Sequence, residues 1–390
     1  MTELPENKEL TKAEEASPQP KKSFVRRNLV FMILGAVFFL IVASYVLMRL
    51  WSPYAEFINT TVGAASRRVI TFISDIFPFS LAEAVVFALP FLFVLAVVLL
   101  IRKMKKQNGA KSIRRITALF LGVICFLVGA FVFNGSPGYF GERIYEKLEL
   151  NTEKLTEEEL YAACVYLEYR MELALRDGNI VQDETGATVM PYSVGETAYK
   201  LSELYNSFRE AYGFPQSFRS NPKILVSSPL VTYTHVSGLY CDYTGEININ
   251  VNYPDYVITS TIAHEMAHQR GVAPEDEANF MAYATLTRSN DPYLVYAGCL
   301  DAFNTVAPYL RSADADLYKS VVSGLPDVAK EDLVAYAEFF NQYRDNKAAE
   351  ITGNINDSYL KSQGTSGTVS YDEATYLIVR YILQYQSVGK

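Results

Sequence analysis

Residues 261–268 read Thr-Ile-Ala-His-Glu-Met-Ala-His and contain two of the three histidines of the 390-residue chain. Histidines four positions apart lie on one face of a helix, one turn above the other. His264 and His268 can therefore direct two imidazole nitrogens at a single Zn²⁺ ion, and Glu265 lies beside them as a candidate general base. The spacing predicts a helix that carries the site of a zinc hydrolase.

A catalytic zinc ion usually has three protein ligands and a water molecule, so a third ligand must come from elsewhere in the chain. The remaining histidine, His235, lies upstream at a poor spacing. Glu275 and Glu277 are better placed. They follow Gly271, which permits a turn, and Pro274, which suits the first turn of a new helix.

Glu275 would share one face of that helix with Ala278 and Asn279, and the small alanine would allow a close approach to the histidine helix. This pattern favours Glu275 over Glu277 as the third zinc ligand. Asn279, one turn further on, becomes a candidate for orienting a ligand imidazole.

Three apolar runs precede this site, at about residues 29–48, 84–101 and 116–133. Each is long enough to cross a hydrocarbon layer of about 30 Å. The first is not followed by a small-x-small cleavage site, which favours an uncleaved span over a signal peptide. We predict a tail of residues 1–27, a membrane region of residues 28–134 with three transmembrane helices, and an outer domain of residues 135–390.

Basic residues indicate the orientation of these spans. Lysines and arginines are concentrated before the first run, at residues 21–27, and between the second and third runs, at residues 102–115. The positive-inside rule places both segments in the cytoplasm. The chain is therefore expected to be a multi-pass protein of the cytoplasmic membrane, with residues 135–390 outside the cytoplasm.

The charge of the outer domain excludes one class of partner. Residues 135–390 contain 19 lysines and arginines against 35 aspartates and glutamates. A surface this acidic repels nucleic acid and anionic lipid headgroups. We expect no nucleic-acid partner.

The outer domain is predicted to be α+β, mostly helical with a small β-sheet. Thr156 and Glu159 form a capping box before a helix that reaches about Leu175, and a second helix is expected at residues 197–212. Strands are expected at residues 223–227 and 246–252, and segment 231–236 is expected to form a hairpin with the latter through a turn at residues 242–245. An edge of this sheet could receive an extended peptide, or the sheet could simply cover the histidine helix.

Two longer strings resemble known families. The pattern Glu275-x-x-Ala278-Asn279 after His-Glu-x-x-His is similar to the gluzincin class of metallopeptidases, whose third ligand is a glutamate on a following helix. Residues 264–271 and 275–280, the segment 356–360 and the N-terminal spans resemble the bacterial membrane family called domain of unknown function 3810. The resemblance implies a zincin-like outer domain and a zinc metallopeptidase with no settled substrate.

Together these features predict a membrane-anchored zinc metallopeptidase that hydrolyses peptide bonds of peptides or proteins outside the cytoplasmic membrane. Glu265 is expected to take a proton from the attacking water. Tyr233, His235, Tyr240 and Tyr243 all remain candidates for stabilising the oxyanion. The alternative is a catalytically inactive zincin-like binding or sensor module, or a cell-envelope assembly module, with a structural zinc.

Overall fold

The computed structural model describes residues 24–104, 109–151, 153–212, 219–367 and 370–386. Residues 1–23, which form most of the predicted cytoplasmic tail, lie outside this part of the chain. The described residues are mostly helical and include a small three-stranded sheet. The mostly helical character and the small sheet predicted from the sequence are confirmed.

The helices before residue 135 are α1 (Phe24–Leu50), α2 (Ser52–Ile58), α3 (Ala64–Ser74), α4 (Leu81–Met104) and α5 (Gly109–Asn134). Within the described part of the chain, three segments are long and apolar enough to cross a membrane: Asn28–Leu50, Leu81–Arg102 and Ser112–Asn134. The three predicted apolar runs fall inside them. Their side chains are largely exposed, as expected of helices that would contact lipid.

Helices α2 and α3, joined by a π-helical turn at Asn59–Gly63, connect the first and second spans. This connecting segment is amphipathic. Phe57 and Phe72 are exposed, whereas Arg67 and Thr71 are buried against the rest of the protein. The segment therefore turns a polar face toward residues 135–390 and an apolar face away from them.

The remaining helices and strands are α6 (Pro137–Phe140), α7 (Ile144–Lys147), α8 (Glu157–Asp177), α9 (Val194–Tyr212), β1 (Lys223–Ile224), α10 (Ser228–Val231), β2 (Gly238–Cys241), β3 (Glu246–Ile249), α11 (Asp255–Gln269), α12 (Glu275–Thr287), α13 (Pro292–Ala313), α14 (Ala315–Gly324), α15 (Asp327–Asn341), α16 (Lys347–Ser362) and α17 (Ser370–Tyr381). The predicted capping box is present, because the hydroxyl of Thr156 accepts from the Glu159 amide and the Glu159 carboxylate accepts from the Thr156 amide.

The strands are arranged in the order β1-β3-β2, with β1 parallel and β2 antiparallel to β3. The predicted hairpin turn at residues 242–245 is confirmed, with the Gly245 amide 2.7 Å from the Cys241 carbonyl. The strand predicted at residues 231–236 is wrong, since Thr232–Thr234 form a 3₁₀ turn and the strand is β2. Pro229 starts a helical turn there, and the Thr232 hydroxyl donates to the Ser228 carbonyl.

Helix α11 carries the histidine motif through the centre of the outer domain. It packs against α9, α12, α13 and the sheet, so most of its circumference is buried. Where α11 and α12 meet, Ala263, Ala267, Ala278 and Ala282 are buried. These small side chains let the two helix axes approach closely, which brings residues from both helices into one site.

The end of the segment that connects the first and second spans forms hydrogen bonds with strand β3 of the sheet. The buried Glu246 carboxylate on β3 accepts hydrogen bonds from the Leu81 and Ala82 amides, each at 2.9 Å, at the start of α4. The Ser80 hydroxyl donates to the Asn248 side-chain oxygen at 2.6 Å. A carboxylate at a helix N-terminus accepts hydrogen bonds from the free amides there and interacts favourably with the positive end of the helix dipole. The membrane region and the outer domain are therefore joined by buried polar contacts.

Glu168 on α8 should make the stability of this domain depend on pH. One of its carboxylate oxygens is buried without a hydrogen-bond partner, and burial raises its pKa to about 7. Because the folded pKa exceeds the unfolded one, this group favours the folded state below the unfolded pKa, and that contribution is lost as the pH rises through about 7. We expect Glu168→Gln to raise the melting temperature by a few degrees at pH 8 and to leave it nearly unchanged at pH 5.

The control for this prediction is Glu172→Gln, which alters an exposed carboxylate one turn along the same helix. Thermal unfolding of the purified full-length protein in detergent measures both variants. An equal shift for Glu168→Gln at the two pH values would contradict the assignment.

Candidate metal centre

Three side chains converge where α11 crosses the start of α12. The Nε2 atoms of His264 and His268 are 2.9 Å apart, and Glu275 Oε2 lies 3.2 Å from the first and 3.4 Å from the second. Within the described residues, these three form a group that could hold a metal ion. The structure thus brings together the three residues that the sequence suggested as ligands.

Hydrogen bonds on the far side of each ring fix how the imidazoles face one another. His264 Nδ1 lies 2.7 Å from Asn279 Oδ1, and His268 Nδ1 lies 2.8 Å from the Val272 carbonyl oxygen. A proton on Nδ1 of each ring satisfies these two oxygen atoms, and in the neutral ring it leaves an unshared electron pair on Nε2. In that tautomer two lone pairs and a carboxylate oxygen point at one another, and either a metal ion or a proton on one Nε2 atom would relieve their repulsion.

The electrostatics of the group favour positive charge. Burial opposes protonation of His268, but the adjacent Glu275 carboxylate outweighs it and raises the pKa of His268 to about 9. Burial would raise the pKa of Glu275, but the charge on His268 and hydrogen bonds from both imidazoles hold that pKa well below its usual range. A cation at this point is stabilised by the carboxylate.

Glu277, the other glutamate considered as a ligand, faces away from the histidines. Its carboxylate is buried, accepts a hydrogen bond from the Ile144 amide at 2.9 Å and forms an ion pair with Arg143. Arg143 also reaches Asp276 at 2.6 Å. Each step along a helix rotates the side chain by about 100°, so Glu275 and Glu277, two positions apart, point about 200° apart. They cannot serve the same site.

Glu265 lies beside the three converging side chains and is 5% exposed. Burial raises the pKa of its carboxyl group, and the Tyr240 amide on β2 donates a hydrogen bond to it. Strand β2 approaches this close because residue 238 is glycine. A Cβ at Gly238 would lie 2.5 Å from Thr261 Cγ2 and 2.8 Å from Glu265 Cγ. The carboxylate is thus held between the helix and the sheet edge.

The turn after His268 is secured by the segment that connects the spans. Gly271 has φ +95°, in the left-handed region that favours glycine. Its carbonyl accepts a hydrogen bond from Asn59 Nδ2 at 3.0 Å. The Arg67 guanidinium in turn donates to the Asn59 backbone oxygen at 2.8 Å and to the Asn134 carbonyl at 3.1 Å. Residues of the membrane region therefore hold the chain that positions His268.

A cleft of about 730 Å³ lies in front of the site. Its walls include α11, α12, the edge strand β2, the turn before β2 and the helix α16, and another side is formed by Asn134 at the end of α5, by Gly135 and by Tyr139 of α6. Glu265 and the three converging residues all line it. Their side chains can therefore act on a molecule that enters the cleft.

Two tyrosines that line the cleft were not identified from the sequence. Tyr139 donates a hydrogen bond to Tyr359, and both hydroxyls lie within electrostatic range of Glu275. Burial raises the pKa of Tyr359 to about 12, so it remains a hydrogen-bond donor at neutral pH. Tyr359 lies in segment 356–360, which was noted in the sequence only for its resemblance to a family.

The four residues that the sequence suggested as hydrogen-bond donors to an oxyanion make other contacts in the structure. Tyr233 packs edge-on against Tyr343, and Tyr243 is 44% exposed. The Tyr240 hydroxyl is buried, and Tyr240 contacts Glu265 through its backbone amide and not through its hydroxyl. His235 lines the cleft, but its Nε2 lies 2.7 Å from the Tyr343 carbonyl oxygen.

Comparison with known proteins places the chain in a family. No curated protein and no solved structure matches it. A family model described as "Protein of unknown function (DUF3810)" matches residues 59–379. The match begins at Asn59, the residue that contacts the Gly271 turn, and it includes the connecting segment, the membrane-capable helices after it and all residues of the candidate metal centre. The protein belongs to the DUF3810 family.

Proposed function

We propose that this protein is a zinc-dependent metallopeptidase anchored in the membrane by three transmembrane helices. The observation that carries the proposal is the convergence of His264, His268 and Glu275 with Glu265 directly beside them. Three donors and an adjacent carboxylate are the parts that a zinc hydrolase requires, whereas a structural zinc site has four protein ligands.

The spacing of the three donor atoms supports zinc. A tetrahedral zinc ion with bonds of about 2.0–2.1 Å separates its ligand atoms by about 3.3–3.4 Å. The separations among the two Nε2 atoms and Glu275 Oε2 are 2.9, 3.2 and 3.4 Å. Imidazole and carboxylate groups are also the ligand types typical of catalytic zinc. Asn279 and the Val272 carbonyl would keep both imidazoles oriented toward the ion.

Zinc would supply a Lewis acid that lowers the pKa of water at the site toward about 7. Glu265 would take a proton from that water and later give it to the leaving amine. Its burial between α11 and β2 favours this role, because a carboxylate of raised pKa accepts a proton more readily. The Tyr359 hydroxyl would donate to the carbonyl oxygen as negative charge develops there.

Strand β2 would hold the peptide. It is an edge of the described sheet, since it pairs with β3 on one side and with no other described strand, and three of its residues, Gly238, Leu239 and Tyr240, line the cleft. An extended peptide could add to this edge through main-chain hydrogen bonds and pass in front of Glu265. The outer domain would be extracytoplasmic, because the basic segments flanking the spans lie on the other side.

A test of the proposal uses full-length protein purified in detergent and a mixed peptide library. We expect one zinc ion per chain, cleavage of the library, loss of cleavage after treatment with a chelator and recovery when zinc is restored. Metal content is measured by mass spectrometry and cleavage by product analysis. Stoichiometric zinc without cleavage would favour a sensing or structural module, and absence of zinc would refute the metal site.

Tyr359→Phe should separate transition-state stabilisation from metal binding. Removing one oxyanion donor typically lowers kcat by about 10²–10³-fold. We expect a loss of this size with zinc content and melting temperature unchanged. The control is Tyr233→Phe, which removes a hydroxyl outside the residues that line the cleft. Equal activity of both variants would exclude Tyr359 as the donor.

A further inference from the structure

The catalytic cleft lies directly at the end of the third span. Asn134, the last residue of the span Ser112–Asn134, lines the cleft together with Gly135 and Tyr139. The ring of Phe131, inside that span, contacts the ring of Tyr359 at a centroid distance of 6.1 Å. The Phe131 side chain therefore joins the end of this apolar helix directly to Tyr359, which lines the cleft.

Helix α16, which forms a wall of the cleft, also rests on the first span. Arg49, at the end of α1, donates a hydrogen bond to the Ser362 carbonyl at 3.4 Å. Both α1 and α5 thus end against the helix that carries Tyr359. The ends of these two spans therefore lie next to the cleft, and no long linker separates the cleft from them.

Strand β2 leads from the metal centre to this boundary. It begins at Gly238, beside Glu265, contacts Glu265 again through the Tyr240 amide, and ends at Cys241. The next residue, Asp242, accepts a hydrogen bond at its carbonyl from Asn134 Nδ2 at 3.1 Å. From Tyr240 to Asp242 an extended chain covers about 7 Å. A peptide paired with β2 would therefore have one end near Glu265 and the other at the end of α5.

Exposed apolar side chains surround the same end of the membrane region. Phe72 and Ile76 in and after α3 are 73% and 69% exposed, and Val226 and Leu230 are 82% and 70% exposed. The Val226 amide donates to the Glu83 carboxylate in the first turn of α4, so this loop lies at the start of the second span. Apolar groups beside the ends of spans are stabilised in the membrane interface. These apolar side chains would therefore hold this end of residues 135–390 in the membrane interface, while the acidic remainder of the domain faces away from anionic headgroups.

We propose that the substrate is the juxtamembrane segment of a membrane-anchored polypeptide. This inference rests on the proposed peptidase function. The segment pairs with β2, its anchored end leaves the cleft beside Asp242 and Asn134, and the scissile bond lies within a few residues of the bilayer. A free peptide of the same sequence would gain no effective concentration from the membrane and would be cleaved more slowly.

The test uses the full-length protein in lipid vesicles and one cleavable sequence in three forms. The first form is free, the second is tethered to a double acyl anchor through about four extended residues, which span about 13 Å, and the third is tethered through a flexible linker of about 25 residues. Each tethered form is made with the anchor at either peptide terminus. Glu265→Gln protein serves as the inactive control.

We expect at least one short-tether form to be cleaved about ten-fold or more faster than the free peptide and no slower than its long-tether form. Equal cleavage of free and short-tether peptides, or cleavage of only the free and long-tether forms, would overturn the proposed substrate class and leave the peptidase function intact.

A second measurement does not depend on cleavage. A photoreactive amino acid replaces Leu239, an exposed residue of β2 that lines the cleft, in the Glu265→Gln protein. Crosslinking to the short-tether peptide in preference to the free one is expected. If no form is cleaved but this preference is seen, the peptidase function fails while the binding of juxtamembrane segments stands. If the preference is absent, the substrate class is refuted.

Discussion

The His264→Ala variant is expected to purify without zinc, whereas His235→Ala is expected to retain one zinc ion per chain. His264 Nε2 is one of three donor atoms that converge within 3.4 Å of one another. His235 lines the same cleft but directs its Nε2 to a carbonyl oxygen on α15's C-terminal side. Loss of an outer partner of a ligand alone weakens metal binding by about 10–100-fold, and loss of a ligand should weaken it further.

The glutamates provide a second matched pair for the same prediction. Glu275→Gln should also lose zinc, because the amide is a far weaker ligand for zinc than the carboxylate. Glu277→Gln should keep zinc and instead lower the melting temperature, since it weakens the buried ion pair with Arg143. Metal analysis of all four purified variants measures the effect. One zinc ion per chain in the His264→Ala variant would show that the metal is held elsewhere.

Glu265→Gln is expected to lower peptide hydrolysis by about 10²–10⁴-fold, the range that a positioned general base supplies. The substitution keeps the size of the side chain and its ability to accept a hydrogen bond from the Tyr240 amide, but it removes the proton acceptor. Zinc content should therefore stay at one ion per chain. Single-turnover cleavage and metal analysis on the same preparation measure the two quantities together.

The outcome of this substitution distinguishes the peptidase from its alternatives. Glu203→Gln, an exposed glutamate outside the residues that line the cleft, is the control and should leave the rate unchanged. If Glu265→Gln protein keeps both zinc and its cleavage rate, Glu265 is not the base. If it loses zinc, the residue has a structural part in the site that the catalytic proposal does not include.

Local patterns in the sequence were sufficient to locate the three membrane-capable helices and the helices α8, α9, α11 and α12. The apolar runs at 29–48, 84–101 and 116–133 lie within the three membrane-capable helices, because a run of that length has few other stable environments. The Thr156 capping box is specified by two residues three positions apart. Signals of this kind depend on neighbours in the chain and can be read without a structure.

The strand expected at residues 231–236 shows where such reading fails. Its threonines and valines have high β-propensity, but Pro229 and the threonine hydroxyls favour a helical turn, as the bond from Thr234 to the Val231 carbonyl illustrates. Propensity alone could not decide between these competing effects.

The candidate site was predictable only in part, for a related reason. His264, Glu265 and His268 lie within one turn of a helix, and Glu275 follows after a short connection, so spacing alone brings them together. Tyr359 reaches the site from a helix about ninety residues later in the chain. Its arrival depends on how α16 packs, which no periodicity encodes.

The contact between Asn59 and the Gly271 carbonyl has a practical consequence for how this protein can be handled. A shortened chain beginning at residue 135 would lack Asn59, Arg67 and Ser80, and would expose Glu246 and Asn248 without their partners. Buried groups left without hydrogen bonds cost about 1–3 kcal/mol each. A water-soluble form suited to crystallisation would therefore have to retain residues 59–83 and replace only the exposed apolar surfaces of the membrane-capable helices, because residues 59–83 also support the turn beside the candidate metal centre.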